Sequence, residues 1–374
     1  MLLINDLPGM FARATLSASK SEFGAADLTI HFERDTVSGG VAFDNRGGEA
    51  LGPLRVVADL KLNNLLSLFE RTALMVAQAE GQEMQYASIS HEQQLGREGT
   101  KIKIDYSALR AEPENLSFIP LEQEVESDSA NLIVSHPMIR SRKQNLYLRT
   151  GLTMHNGTTR LFGAKMIDEQ LRVARLGLTY DRIDSSGATN LIDVEVSQGL
   201  NGLGSSENGD LLLSRADGSV DFSKLTLYLA RLQPLSSHWS LLATVNGQYA
   251  FDDLLAPELF GYGGEAFGRG YDPSEAVGDH GLAAKLELRY SNHLPFSTPQ
   301  PYTLYGYVDA GRVWQRNETP LDDDTTITSA GLGLRLSLFG HVSAAVELAQ
   351  PISHPVAAEG SDDARAYFTL SARF

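Results

Sequence analysis

An arginine set between two glycines, Gly268-Arg269-Gly270-Tyr271 preceded by Phe267, lies in a glycine-rich stretch near the C-terminal third of the chain. A guanidinium stays protonated and offers five donors in a flat fork shaped for carboxylates. The flanking glycines permit positive φ and therefore a tight loop tip. An acid follows in Tyr305-Gly306-Tyr307-Val308-Asp309-Ala310-Gly311, and a second stands at Glu287. The chemistry these residues offer is charge-assisted pairing, a clasp between a loop tip and a wall. Asp309 is the first expected partner of Arg269 and Glu287 the second. Gly306 and Gly311 flank Asp309 and leave room for an incoming tip. The plainer alternative makes Asp309 one wet carboxylate among many. A solvated pair contributes at most ~1 kcal/mol, so such a clasp is expected to hold its loop lightly.

Bond-making chemistry finds no support. Nine histidines are scattered without a pair at ligand spacing, so no metal site is expected. Gly331-Leu332-Gly333 falls in a strand pattern with no helix after it, unlike a dinucleotide loop. Nothing near Asp279-His280 arranges a nucleophile with a base. Asp322-Asp323-Asp324 reads as a solvated loop in preference to a calcium site. No enzyme activity and no cofactor are expected.

The elements that would position the clasp are strands. Sixteen stretches alternate apolar and polar residues, at about 37–45, 54–63, 71–80, 83–93, 100–109, 129–136, 145–155, 171–183, 189–199, 222–233, 239–252, 280–291, 302–315, 326–338, 341–351 and 364–374. A period of two makes one face apolar and one wet. In the twelfth, Leu282, Ala284, Leu286, Leu288 and Tyr290 would meet lipid while Lys285, Glu287 and Arg289 point inward. In the fourteenth, Arg335 points inward opposite Leu332, Leu334 and Leu336. These inward charges are expected to keep a bore wet and weakly adhesive. Connections after odd strands are mostly long (110–128, 156–170, 200–221, 253–279, 316–325, 352–363), and those after even strands mostly short, such as Ser185-Ser186-Gly187 and Phe339-Gly340. That parity fits a transmembrane barrel with sixteen antiparallel strands. A soluble propeller is the alternative, but no repeat is present. The connection 253–279 carries six glycines and two prolines together with Phe260, Tyr262, Phe267 and Tyr271. So apolar a loop is expected to fold into the barrel, carrying Arg269 with it.

Bulk composition agrees. Hydrophobic residues make up 42% of 374, and the mean hydropathy of -0.17 is too polar for a helical membrane protein. A net charge of -16 argues against nucleic acid as a partner. Cysteine is absent, which excludes disulfides and thiol chemistry. Residues 1 to about 35 read differently: Leu7-Pro8-Gly9 is a turn, Met10–Lys20 a short helix or strand, and 26–33 a strand. They suggest the end of a small α+β module. An exported protein needs a signal peptide, and Met1-Leu2-Leu3-Ile4-Asn5-Asp6 lacks its basic start and long apolar run. The natural N-terminus is therefore expected to lie further upstream.

An ordered set of short stretches resembles one family. It comprises Leu3-Ile4-Asn5-Asp6-Leu7-Pro8-Gly9, Phe43-Asp44-Asn45-Arg46-Gly47, His136-Pro137-Met138-Ile139-Arg140-Ser141-Arg142, Gln198-Gly199-Leu200, Phe267-Gly268-Arg269-Gly270-Tyr271 and Gly278-Asp279-His280-Gly281-Leu282. The chain is similar, over its whole length, to the haemolysin secretion/activation proteins of two-partner secretion, the ShlB/FhaC/HecB family. The resemblance implies two periplasmic POTRA modules before a 16-stranded outer-membrane barrel. Residues 1–35 would be the C-terminal part of the second module and 36–374 the barrel. The plug helix, the first module and half of the second would be missing, leaving a more open pore. It implies ATP-free export of one secreted exoprotein, an adhesin or haemolysin, by a monomeric barrel held in outer-membrane lipid and inserted by the barrel-assembly machinery. It also assigns the sixth-loop tip to 267–271 and the wall acid to Asp309. A barrel-assembly insertase and a passive porin are the rival expectations.

Overall fold

In the computed structural model, residues 2–19, 22, 25–113, 122–295, 298–317 and 325–374 are described. A short helix, Leu2–Asn5, leads into an antiparallel hairpin of β1 (Met10–Ala18) and β2 (Ala26–Arg34). The segment left open between helix and strand is thus a strand. The 7–9 turn fits as expected: Gly9 has φ +63°, and its carbonyl accepts from Asp35 N at 2.9 Å. Asp6 ties this part to the barrel floor through Arg140, at 2.6 and 2.8 Å.

The barrel runs β3 (Val37–Asp44), β4 (Arg55–Asn63), β5 (Glu70–Ala79), β6 (Met84–Leu95), β7 (Thr100–Ala111), β8 (Glu124–Arg140), β9 (Gln144–Leu161) and β10 (Ala164–Ile183). It continues with β11 (Thr189–Gly199), β12 (Ser223–Pro234) and β13 (Trp239–Ala250). After the loop strands β14 (Phe260–Tyr262) and β15 (Ala276–Gly278) come β16 (His280–Leu294), β17 (Gln300–Trp314), β18 (Thr325–Leu338), β19 (Val342–Pro351) and β20 (Arg365–Arg373). Sixteen strands pair antiparallel with their neighbours, and β20 returns to β3 to close the sheet. Closure leaves no open edge, and every strand finds its partners within the wall, as lipid demands. The side-chain period holds: on β17, Leu304, Val308 and Ala310 face out while Tyr305, Tyr307 and Asp309 are buried inside.

The closing seam is short, pairing Gly40–Asp44 with Thr369–Arg373. Beyond it the Asn45 side chain continues the ladder, donating to Ala366 O at 2.9 Å and accepting from Phe368 N at 2.7 Å.

One expected loop is absent. Residues 156–170 are not a long connection: β9 and β10 run on as paired strands to a two-residue turn at Phe162-Gly163, both at positive φ. Alternation is blurred there because both faces of this wing stand above the apolar belt, where polar residues suit either side. Loop 5 (200–222) lies along the free edge of β10, with Ser206 N donating to Gln170 O and Asp168 N to Leu212 O. The acidic run Asp322-Asp323-Asp324 and much of the expected 110–128 and 316–325 connections lie outside the described residues.

Candidate functional site: the inward-folded sixth loop

Loop 6 (251–279) folds back into the bore as the β14–β15 hairpin. It enters because the wall has been hollowed to receive it. A Cβ on Gly281 would lie 2.0 Å from the Phe260 ring, and one on Gly311 would lie 2.1 Å from the Tyr262 ring. On β18, Gly331 and Gly333 make the same room for Tyr307 and Tyr305. Gly306 does not belong to this set. It lies on the lipid-facing side of β17, with nothing nearer its missing Cβ than 3.8 Å.

The tip sits deep. Gly268 takes φ +73°, and Tyr271 N donates to Gly268 O at 2.9 Å to close the turn. Tyr271 is 1% exposed and its hydroxyl reaches Thr328 O and His354 O, each at 3.2 Å. Phe267 packs in the same buried cluster as Phe260, Tyr262 and Val313.

Arg269 does not pair its guanidinium with Asp309. Its backbone N meets Asp309 Oδ2 at 3.4 Å, and the side chain passes on over the Tyr307 ring, 4.0 Å from the centroid. The fork then ends on two carboxylates: Nη2 on Glu287 Oε2, and Nη1 on Glu347 Oε2 at 3.1 Å. The reason is reach. Asp309 stands opposite Lys285 in the β16–β17 register, and Glu287 opposite Tyr307, two residues further along. Two strand residues span about 6.6 Å, close to the length of an arginine side chain. Asp309 instead holds the tip's backbone, accepting also from Tyr262 Oη at 3.3 Å and from Ser329 Oγ. Gly270 N donates to Ser329 Oγ at 3.2 Å.

The clasp is also drier than expected. Side chains of Arg269, Glu287 and Glu347 are 4%, 0% and 1% exposed. Aromatic rings of the wall and of the hairpin shut water out, so the estimate for a solvated pair does not apply. The expected lumen charges also brace the clasp. Arg289 Nε and Arg335 Nη1 both bond Glu287 Oε1, at 2.7 and 2.9 Å, and Lys285 Nζ donates to Ala266 O at 2.7 Å. Three guanidinium groups meet Glu287, and Glu347 takes Arg46 at 3.2 Å and the hydroxyls of Tyr305 and Tyr307.

Further ties went unnoticed in the sequence. Glu258, in the loop's 3-10 turn, pairs with Lys224 at 2.8 Å and Arg175 at 2.6 Å. Asp279, fully buried, binds Arg215 of loop 5 at 2.6 Å and caps Leu254 N at 2.8 Å. Asp272 binds Arg365 of β20 at 2.6 Å and accepts from Glu49 N at 3.0 Å. Glu347 alone carried a legible signal: an acid on the inward face of the apolar strand Val346-Glu347-Leu348-Ala349.

A closed barrel of sixteen strands with a clasped loop in its bore defines a transporter-type barrel of the bacterial outer membrane. The family model described as haemolysin secretion/activation protein ShlB/FhaC/HecB matches residues 24–336, and the chain belongs to that family. It is 24% identical over 368 residues to the heme/hemopexin transporter protein HuxB of Haemophilus influenzae strain 86-028NP, covering 95% of this chain and 63% of that protein. It is 23% identical over 330 residues to the outer membrane transporter CdiB of Dickeya dadantii, covering 85% and 57%. The chain thus spans less than two thirds of these relatives. In fold it is similar to CdiB from Escherichia coli, with TM-score 0.82 at 20% identity, covering all of this chain and 69% of that one. BamA from Haemophilus ducreyi lacking POTRA domains 1–3 gives TM-score 0.62 at 16% identity, covering all of this chain and 77% of that one.

Proposed function

We propose that this barrel exports one large secreted protein across the outer membrane as an extended chain, without nucleotide and without enzymatic activity of its own. The observation that carries the reading is the dry clasp of Arg269 on Glu287 and Glu347 inside a closed, otherwise polar bore. A loop held at one defined depth is a device for setting a passage, and here it is the sixth loop with its Arg-Gly-Tyr tip, where a passive porin would use its third loop. Folding of the passenger outside would supply the drive. The family and the printed roles of HuxB and CdiB as transporters support the class. In this reading residues 1–35 close the second POTRA module at the periplasmic mouth, lipid surrounds a monomeric wall, and the barrel-assembly machinery inserts it.

Deletion of the gene tests this against assembly of other barrels. Retention of a single large protein in the periplasm, with the outer-membrane profile unchanged, is expected. Broad loss of outer-membrane barrels would assign the insertase role instead. The likeness to BamA is one of fold and leaves that arm open to the experiment.

A further inference from the structure

One turn of the periplasmic rim is built unlike its neighbours. Asn64-Leu65-Leu66-Ser67-Leu68-Phe69 joins β4 to β5, and Leu65, Leu66, Leu68 and Phe69 are between 41% and 68% exposed. Other turns of the same rim are polar, as at Gly96-Arg97-Glu98-Gly99, Ser141-Arg142-Lys143 and Asp184-Ser185-Ser186-Gly187. Four large apolar side chains in six residues are costly to leave in water and mark a contact surface.

The turn leans to the lipid side. Alternation along β5 puts Leu74 and Val76 outward, and Glu70 and Thr72 share their face. The Glu70 carboxylate accepts from Leu66 N at 2.6 Å and from Leu68 N at 2.9 Å, so the turn is drawn over the outer surface of the wall. Phe69 N donates to Asn64 Oδ1 at 3.0 Å. The cover leaves Glu70 only 2% exposed. Asn64, Ser67 and Phe69 take φ of +52°, +59° and +59° without being glycine, which persists only where the surroundings impose it. Main-chain donors satisfied by side chains instead of water suit a segment that sits in hydrocarbon.

The turn also stands where the apolar belt is interrupted. Glu70 pairs with Gln93 and Thr72 with His91, so two rungs of β5 and β6 are polar on the lipid-facing side. The strands on either side keep those rungs apolar, with Leu62 opposite Thr72, Ile102 opposite Gln93 and Ile104 opposite His91. The Glu70 bonds return Leu66 and Leu68 to the level of this gap. The N-terminal module meets the rim from the other side: Asp35 O accepts from Asn63 Nδ2 at 3.0 Å, and Asn63 is buried on the inward face of β4, one residue on from outward Leu62. The surface that the turn's leucines continue is therefore the lipid-facing belt.

We propose that the turn 64–69 is a membrane-inserted foot. Leu65, Leu66, Leu68 and Phe69 lie among the acyl chains of the periplasmic leaflet, and Glu70 beneath them pins the turn to the wall. The foot closes the break in the apolar belt and fixes the depth of the rim near the β3–β20 seam. It is independent of the export reading.

The test places a nitroxide on Leu66→Cys, and separately on Ser237→Cys in the exposed turn 235–238, in the otherwise cysteine-free full chain. Both proteins are reconstituted in vesicles of phosphatidylethanolamine and phosphatidylglycerol. Relaxation by oxygen, which concentrates in acyl chains, is compared with relaxation by a nickel chelate, which stays in water. Oxygen should dominate at Leu66 and nickel at Ser237. Adding Glu70→Ala should raise the mobility of the Leu66 label, while heat-modifiable gel mobility shows the barrel still folded. Nickel dominating at Leu66 overturns the proposal, as does exclusion of both relaxants, the mark of a protein cover. Unchanged label mobility in folded Glu70→Ala also overturns it, because the carboxylate would then not hold the turn.

Discussion

Removing an acid from the clasp should free loop 6 more than removing its arginine. Arg269→Ala leaves Glu287 still bonded to Arg289 and Arg335, at 2.7 and 2.9 Å, and Glu347 still bonded to Arg46 and the Tyr305 hydroxyl. Arg269 loses two carboxylate contacts, but both acceptors keep other donors and neither is orphaned, so the two together cost about 1.5–3 kcal/mol. Glu287→Ala does the opposite. It leaves three guanidinium groups together, with the 4%-exposed Arg269 retaining Glu347 alone. Stripping one partner from a buried pair costs about 3–5 kcal/mol. Arg335 is 40% exposed and water will offset part of that, so the lower end applies. The two variants should differ by up to about 1.4 kcal/mol, at most a tenfold difference in the population of released loops. The chain has no cysteine, so a nitroxide on Glu265→Cys reports the tip alone. Its electron paramagnetic resonance spectrum should show a larger mobile fraction in Glu287→Ala than in Arg269→Ala, both barrels remaining heat-modifiable. A mobile fraction in Arg269→Ala equal to or above that in Glu287→Ala would refute the argument that Glu287 is the hub.

Other outcomes follow from the same geometry. Gly311→Ala should unseat the hairpin, since its Cβ would fall 2.1 Å from the Tyr262 ring, at a typical overpacking cost of about 1–3 kcal/mol; Gly306→Ala, with 3.8 Å of clearance on the lipid side, should leave the Glu265 label unmoved. Asn45→Ala should lower the temperature at which the barrel opens on a heat-modifiability gel, because it strips the seam of its bonds to Ala366 and Phe368. In the periplasmic turn, Ser186, then Asn190 and Arg231, hold the Asp184 carboxyl below the usual carboxylate range. A depressed pKa contributes stability above the unfolded value near ~4 and loses it as pH falls through the folded value. Protection of the Ser186 and Ala188 amides, both bonded to Asp184, measured as exchange relative to the intrinsic rate at each pH, should therefore fall on acidification below pH ~4, and Asp184→Asn should remove that pH dependence.

Strand count, order and orientation were legible because lipid on one side and water on the other enforce a strict period of two. The Leu304–Gly311 stretch shows this, with Asp309 correctly placed inward. What failed was reach and depth. Spacing along β17 puts Asp309 nearest the tip, but only the β16–β17 register reveals that Glu287 stands where a long side chain ends. Burial of the clasp depends on Tyr262 of β14 meeting Tyr305 and Tyr307 of β17, which no local pattern encodes. Gly306 misled because it stands three residues from Asp309, an odd step that puts the two on opposite faces of the strand.

The wing of β9 and β10 has a bearing on what could happen at the exit. Raised strands of this length would ordinarily offer a template on which a β-rich polypeptide could add itself, rung by rung. Here Gln170 and Asp168 already have their main-chain bonds occupied by loop 5, through Ser206 and Leu212. On the proposed export reading, a newly emerged chain would meet a surface whose donors and acceptors are taken on that side, and would be steered toward bonding with itself and away from staying stuck to the doorway.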